Sequence, residues 1–434
     1  MAALMDVDTI FALSSGRPPA AIALLRVSGP LAGPALRQLA GRLPAPRRAS
    51  YAWLKDPASG LALDRALVVW FPGPATATGE DCAELHLHGS RAVVAAVEHV
   101  LAGLPGLRAA EAGEFTRRAF LNGRIDLAEA EGLADLLEAE TELQRRAALA
   151  MAGGSFSRLI DAWRERLLRL SAQVEAALDF SDEDDVDDGR TSECVVKCGA
   201  LAGEISEWLV RPRAEVLREG LRVVLAGPPN AGKSTLFNVL VGSEAAITAA
   251  SPGTTRDVLV RSVALDGIPF CFVDTAGLRE DSAGEVEAVG IARARTEAAG
   301  ADVVLWLGGK GEGPVGVPVW EVTAQCDRPD RVGKVGAHFL LSALTGEGVA
   351  GLRAALVAHA RGAMPVPGEV ALNARQHEHL ASVRSALEAA TSLFDPVLVA
   401  ECLRSARSGL DRLMGQTGTE DMLDTLFGRF CIGK

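Results

Sequence analysis

The sequence predicts a multidomain protein: an N-terminal α+β domain, a discontinuous α-helical domain, and an α/β domain inserted between the two helical segments. Three observations predict it. Short apolar runs broken by Gly and Pro fill residues 1–118. Apolar residues recur at helical steps of three and four in two separate stretches, 119–219 and 364–434. Between them, residues 220–363 switch to strand–loop–helix texture. The 434 residues fit this count, since a domain averages roughly 150 residues. With 48% hydrophobic and 23% charged residues the chain is an ordinary globular protein and not a disordered one. Lys and Arg total 44 against 56 Asp and Glu, a net charge of −12 that repels polyanions. A nucleic-acid partner would therefore be met by a local basic patch.

In the first domain, Ala20–Val27, Leu63–Phe71 and Glu84–His88 read as strands and Arg91–Leu101 as a helix. Leu127, Ala130, Ala134 and Leu137 then mark one amphipathic helix. Phe156, Ile160, Trp163, Leu167, Leu170, Val174 and Ala177 mark a second. Seven of the ten residues in Asp179–Asp188 are acidic, with no Gly at a calcium-loop position, so the stretch reads as a solvated loop. Ala363–Gly368 (AMPVPG) reads as a linker after the α/β domain. Helical periodicity returns at Leu380, Val383, Leu387, Ala390 and Phe394, and again at Leu398, Cys402, Ala406, Leu410 and Leu413. The helices before and after the α/β domain are expected to pack together.

The N-terminus lacks a basic segment followed by an apolar one, and no run of 18 apolar residues occurs. Seven scattered cysteines, of which only Cys194 and Cys198 are close, complete no zinc pattern and read as buried or inert reduced thiols. The expectation is a cytoplasmic protein without a membrane span.

The chemistry lies in the α/β domain. The apolar strand Leu221–Ala226 (LRVVLA) runs into Gly227-Pro-Pro-Asn-Ala-Gly232-Lys233-Ser234 and a helix beginning TLFNVL. This is G-x-x-x-x-G-K-[ST] in its strand–loop–helix context, where backbone N–H groups and a helix N-terminus face phosphate oxygens. Lys233 is the candidate for the β- and γ-phosphates, and Ser234 for Mg²⁺. Further on, Gly253-Thr254-Thr255-Arg-Asp257 offers Thr255 as a second hydroxyl ligand to Mg²⁺. Asp274-Thr-Ala-Gly277 places a carboxylate at a strand end, reaching Mg²⁺ through water, and a glycine N–H for the γ-phosphate. The strand Val319–Val322 leads to Ala324-Gln325-Cys326-Asp327, where Asp327 is the acceptor for guanine N1–H and the exocyclic amine. Ala324 and Gln325 replace the Asn and Lys of the usual N-K-x-D. Ser342-Ala343-Leu344, after the strand His338–Leu341, fits the backbone loop over the base. Together these read as a GTPase. An ATPase reading rests only on Ala324 and Gln325, and Asp327 opposes it. The position that carries a water-orienting Gln in Ras-like enzymes is Leu278, so hydrolysis needs another polar residue, another cation, or both.

From end to end the chain resembles the tRNA-modification GTPase family MnmE/TrmE. The resemblance runs through DTIFALSSG, LLRVSG, TGEDCAELHLHG, GEFTRRAFLNGRIDLAEAEGLADL, GPPNAGKST, SPGTTRD, DTAGLRE, SALTGEG and the terminal Cys431-Ile-Gly-Lys434. It implies a folate-binding and dimerisation domain at 1–118, helical segments at 119–219 and 364–434, and a potassium-dependent G domain at 220–363. It implies a homodimer that joins an FAD-dependent MnmG/GidA-type protein to act on tRNA. The pair builds an aminomethyl or carboxymethylaminomethyl group at C5 of the wobble uridine. A tetrahydrofolate, 5-formyl or methylene, supplies the one-carbon unit.

Folate contacts carry over to Arg26, Glu84, Arg124 (Lys in much of the family) and Lys434. Potassium contacts carry over to Asn230, Ala249, Ser251 and Thr254, and the catalytic Glu to Glu287, with Glu285 the alternative register. Nucleotide contacts cover Asn230, Ala231, Gly232, Lys233, Ser234 and Thr235, then Ala249, Ala250, Ser251, Pro252, Gly253, Thr254 and Thr255. They continue through Asp274, Thr275, Ala276 and Gly277 to Asp327, Ser342, Ala343 and Leu344. The family's terminal tail lies near the folate, which makes Cys431 a candidate participant in modification. The rival reading is a GTP-controlled binding switch in ribosome assembly without modification chemistry, which a P-loop domain alone does not separate from an enzyme.

Overall fold

The structure, a computed structural model, describes residues 8–179, 187–242, 259–275, 297, 299–328, 334, 336–393, 395–416 and 420–434. The chain divides into two compact units, Met1–Ala134 with Asp411–Lys434, and Asp135–Leu410.

The first unit contains β1 (Thr9–Leu13), β2 (Ile22–Ser28), α1 (Ala32–Ala40), β3 (Ser50–Lys55), β4 (Ala62–Phe71), β5 (Cys82–His88), α2 (Arg91–Ala102), β6 (Leu107–Ala109), α3 (Glu114–Leu121) and the start of α4 (Leu127–Glu138). Its six strands form one sheet in the order β3-β4-β5-β2-β1-β6, antiparallel except where β6 joins β1. Strand side chains alternate between faces. Ala23, Leu25 and Val27 of β2 and Ala83, Leu85 and Leu87 of β5 accordingly point into a core closed by Leu36 and Leu39 of α1 and Val94 and Val97 of α2. The intervening residues, Arg26 and Glu84 among them, stand on the other face. Burying each large aliphatic side chain contributes about 1.5–3 kcal/mol. A second cluster joins Leu127, Ala130 and Ala134 of α4 to Leu423, Leu426, Phe427 and Phe430 near the C-terminus. Leu137, expected on this buried stripe, is 47% exposed.

The second unit begins with α5 (Glu142–Ala152), α6 (Ser155–Asp179), α7 (Asp187–Leu209) and α8 (Ala214–Glu219). It continues through β7 (Leu221–Ala226), α9 (Lys233–Gly242), β8 (Leu259–Leu265), β9 (Ile268–Asp274), β10 (Val303–Trp306), β11 (Val319–Thr323), β12 (Phe339–Leu340) and α10 (Val349–Ala363). Two long helices follow, α11 (Ala374–Thr391) and α12 (Pro396–Leu413), the last turn of which enters the first unit before α13 (Glu420–Phe427). The helical segments on either side of the α/β part do pack together, α11 lying along α7. Their shared interior is built by Ile160, Trp163 and Leu167 of α6, Cys198, Leu201 and Ile205 of α7, and Leu380, Val383 and Leu387 of α11. On α12 the buried stripe starts at Val399 and Leu403, not at Leu398 and Cys402; Ala406, Leu410 and Leu413 are buried as expected. Two adjacent apolar residues, Leu398 and Val399, make either stripe consistent with helical spacing, and packing selects the second. The residues after α10 are not a free linker: Met364 is buried against the α/β core and the Leu372 carbonyl accepts from Ala214 N–H. The acidic stretch lies mostly outside the described residues.

The second sheet runs β12-β11-β10-β7-β9-β8. All neighbours are parallel except β8, which forms an antiparallel hairpin with β9. Asp266 and Gly267, both at positive φ (50° and 75°), make its two-residue turn. Parallel strands buried on both faces read as continuous apolar runs, which β7 and β9 do. Leu143 and Ala147 of α5 belong to the same core cluster as Val223, Leu225 and Phe270, so the helical part is built into the base of this sheet.

Candidate functional site

The parallel strands place the loops after β7, β9, β11 and β12 at one edge of the second sheet, where α/β folds bind ligands. β7 lies between β10 and β9, so the loop after it is central. Gly227 and Gly232 adopt φ of 149° and 95°. A Cβ at Gly227 would sit 3.0 Å from Gly308 N, and one at Gly232 would sit 3.3 Å from Gln325 Nε2. The cradle is therefore shaped for backbone approach to a phosphate. Asn230 shares the left-handed conformation at φ 60°. Lys233, the first residue of α9, is buried, and its Nζ donates to the carbonyls of Gly227 at 3.0 Å and Pro228 at 2.8 Å. The ammonium thus lies inside the loop's own curve. Ser234 and Thr235 are exposed on the first turn of α9, whose N-terminal N–H groups favour an anion.

Asp274 ends β9 with its side chain fully buried, and the Thr275 hydroxyl donates to the Leu225 carbonyl at 2.8 Å, pinning this strand end to β7. The oxygen donors brought to this edge, Ser234 and Asp274, suit a hard cation such as Mg²⁺. At the far side, a hydrogen bond from the Ser342 side chain holds the Asp327 carboxyl below its usual range. Cys326 N–H donates to the Leu341 carbonyl at 3.2 Å, so the β11 and β12 loops form one surface. Leu344 is exposed at its rim, and Ala343 packs beside the core. Asn230, Ala231, Gly232, Lys233, Ser234, Thr235, Asp274, Thr275, Asp327, Ser342, Ala343 and Leu344 therefore line one edge. The expected contacts at Ala249, Ala250, Ser251, Pro252, Gly253, Thr254, Thr255, Ala276, Gly277, Glu287 and its alternative Glu285 lie outside the described residues, as does Leu278.

A second group of candidates sits in the first unit. Arg26 and Glu84 are cross-strand partners, with Arg26 Nη2 3.0 Å from Glu84 Oε1 and Nε at 3.2 Å from the same oxygen. The Arg26 guanidinium stacks 5.8 Å from the Phe115 ring centroid. The Phe115 N–H in turn donates to the carbonyl of Lys434 at 3.2 Å. The tail is seated here by a bridge between Ala112 and Ile432 and by Gly433, where a Cβ would collide with the Leu13 carbonyl. Arg124 joins from behind: its Cγ lies beside Gly79, and Asn122 donates to the Thr78 carbonyl at 2.7 Å. Thr78 and Ser28 hydroxyls meet at 2.7 Å, two residues along β2 from Arg26. Arg26 and the Lys434 main chain thus meet at Phe115, Glu84 is held to Arg26, and Arg124 lies beside Gly79, next to the Thr78 that Asn122 bonds. Phe115 and Ser28 have no signal in a single sequence beyond apolar and polar spacing. Cys431 is exposed.

Comparison with known proteins then decides the family. Residues 127–431 match the MnmE helical domain, and residues 9–124 match the GTP-binding protein TrmE N-terminus. A tRNA modification GTPase MnmE of Novosphingobium aromaticivorans is 66% identical over 98% of this chain and 100% of its own. That of Erythrobacter litoralis is 58% identical over 99% of this chain and 100% of its own. The chain belongs to the MnmE family. The loop after β11, Ala324-Gln325-Cys326-Asp327, departs from the usual N-K-x-D base-reading pattern. Among the described residues no helix is long and apolar enough to cross a membrane.

Proposed function

We propose that this chain couples GTP hydrolysis to tRNA modification, adding a (carboxymethyl)aminomethyl group at C5 of the wobble uridine with an FAD-dependent MnmG/GidA-type partner and a tetrahydrofolate one-carbon donor. That it is a GTP hydrolase of the tRNA-modification class follows from its family. The finer reading is supported by one observation above all. Arg26, Glu84 and the Lys434 tail converge around Phe115 on a sheet face remote in sequence from the phosphate loop. A cationic and an anionic side chain beside an aromatic ring suit a ligand with a flat heteroaromatic ring and carboxylates, as a folate has.

In hydrolysis, the loop Gly227–Ser234 holds the phosphates and Lys233 neutralises them. Asp327 reads the base, and Glu287 orients or deprotonates the attacking water. Mg²⁺ between Ser234 and Thr255, and K⁺ against Asn230, Ala249, Ser251 and Thr254, would supply charge that stabilises the leaving phosphate. Asn230 is exposed and left-handed within the phosphate loop, and its side-chain oxygen is the proposed ligand for the monovalent ion. The exposed face of the first sheet, where the Arg65 guanidinium lies 4.6 Å from the Tyr51 ring and 5.5 Å from that of Trp53, supports a homodimer. We propose a cytoplasmic location and G domain limits at 220–363, the stretch that carries the strand–loop–helix texture.

Reconstitution tests this. The purified chain, its FAD-dependent partner, tRNA, GTP, Mg²⁺, K⁺, methylene-tetrahydrofolate and an amine donor (glycine or ammonium) should form C5-modified uridine, and omission of the tetrahydrofolate or of the amine should abolish it. GTP hydrolysis with no uridine product under these conditions would reject the modification reading.

A further inference from the structure

We infer that Gln325 is a positioning residue that clamps Asn230 of the phosphate loop, so that this contact sets how tightly the monovalent cation is held. The inference rests on the reading of Asn230 as a potassium ligand given above.

Gln325 stands just after β11 in the left-handed conformation, φ 62°, and its carbonyl accepts from Arg328 N–H at 3.1 Å. This turn directs the side chain away from its own strand and across to the loop after β7. There its Nε2 donates to the Asn230 carbonyl at 3.3 Å. The same amide lies against Gly232, where an added Cβ would be 3.3 Å from Nε2 and 3.6 Å from Gln325 Cγ. Gln325 therefore closes the space that the glycine leaves open.

The amide orientation is decided by chemistry: turning it over would set Oε1 against the Asn230 carbonyl, two acceptors facing each other. Gln325 Oε1 is shut off from solvent and accepts no hydrogen bond among the described residues, so a charged carboxylate at this position would be costly. Asn230 holds a left-handed backbone at φ 60°, which Asn tolerates better than other non-glycine residues, and the contact adds a constraint on that conformation. A donor fixed to its carbonyl is such a constraint, and it fixes in turn where the Asn230 side chain points. The tie carries no charge. The usual base-reading pattern has a lysine here, whose ammonium is also a donor and could reach the same carbonyl.

The test is the potassium dependence of GTP turnover, and of the binding of a non-hydrolysable GTP analogue, in the full-length protein, compared for wild type, Gln325→Ala, Gln325→Met and Gln325→Lys. Gln325→Ala and Gln325→Met, which lack the donor, should raise the potassium concentration for half-activation about five-fold, the scale of one hydrogen bond. Most of the lost rate should return at high potassium. Gln325→Lys restores a donor to the Asn230 carbonyl and should bring half-activation back toward the wild-type value. If the wild type is activated by potassium and neither Gln325→Ala nor Gln325→Met shifts the midpoint by even two-fold, the clamp is refuted while the reading of Asn230 stands. A wild type indifferent to potassium refutes that reading, and the clamp with it. Should Gln325→Ala lower the melting temperature, Gln325→Met, which keeps the packing against Gly232, decides the matter.

Discussion

The main-chain N–H of Phe115 donates to the carbonyl of Lys434 at 3.2 Å, tying the last residue of the chain to the first turn of α3. With the bridge between Ala112 and Ile432, this makes the C-terminal tail an ordered part of the first unit. Every described phosphate-loop residue belongs to the second. A chain truncated after Phe430 should therefore hydrolyse GTP within about two-fold of the wild-type rate and fail in tRNA modification. Parallel assays of phosphate release and of modified uridine check this; equal loss of both would show that the tail serves the G domain too.

The carboxylate of Glu114 anchors the same region by its ion pairs with Arg108 and Arg118, the latter at 3.0 Å. Burial works against its charge, but hydrogen bonds from Arg108, the Glu111 N–H and Arg118 outweigh that and hold its pKa below the ordinary 4.5. A depressed carboxylate adds stability above its unfolded pKa and loses it as pH falls through the folded value. Glu114→Gln should thus cost about 2 kcal/mol at neutral pH. The gap between wild type and variant should close as pH falls below 4.5, as measured by denaturant unfolding across that range. A gap that is the same at all pH values would show that the charge does not matter.

Asp327 is the one side chain left to discriminate guanine by paired acceptors. Asp327→Asn should remove the preference for GTP over ATP while leaving the fold intact, since the residue is exposed at the loop tip. Competition binding of the two nucleotides measures this. An unchanged preference would move base recognition to the Ser342–Leu344 backbone.

Gln144 carries two roles at once. It completes the capping box with Thr141 at the start of α5, and its Nε2 donates to the Leu217 carbonyl at 3.1 Å at the end of α8. Gln144→Ala should lower stability by about 1–2 kcal/mol, read as a shift in the urea midpoint. Thr141→Ala should cost less, because it leaves the tie to α8 in place.

Much of this was legible in the residues themselves. The Gly227–Ser234 spacing specifies its loop, because only glycines accept those φ values, and the apolar run of β7 specifies a strand buried on both faces. The alternation in Glu84–His88 likewise set Glu84 and His86 on one face. What was not legible depends on contacts between distant segments. Neither stripe on α12 is favoured by spacing, so the choice of Val399 over Leu398 required the partner helices. The stacking of Arg26 on Phe115 needs two elements that local pattern does not bring together. Gln325 read as a lost lysine in the sequence and as a donor to Asn230 in three dimensions.

GTP hydrolysis and tRNA modification are proposed to be coupled in this protein. Nucleoside analysis of tRNA from cells lacking the protein tests that coupling most directly. C5-modified wobble uridine should disappear, return with the wild-type chain, and fail to return with Lys233→Ala. Full modification in the deletion strain, with no second enzyme supplying it, would contradict the account.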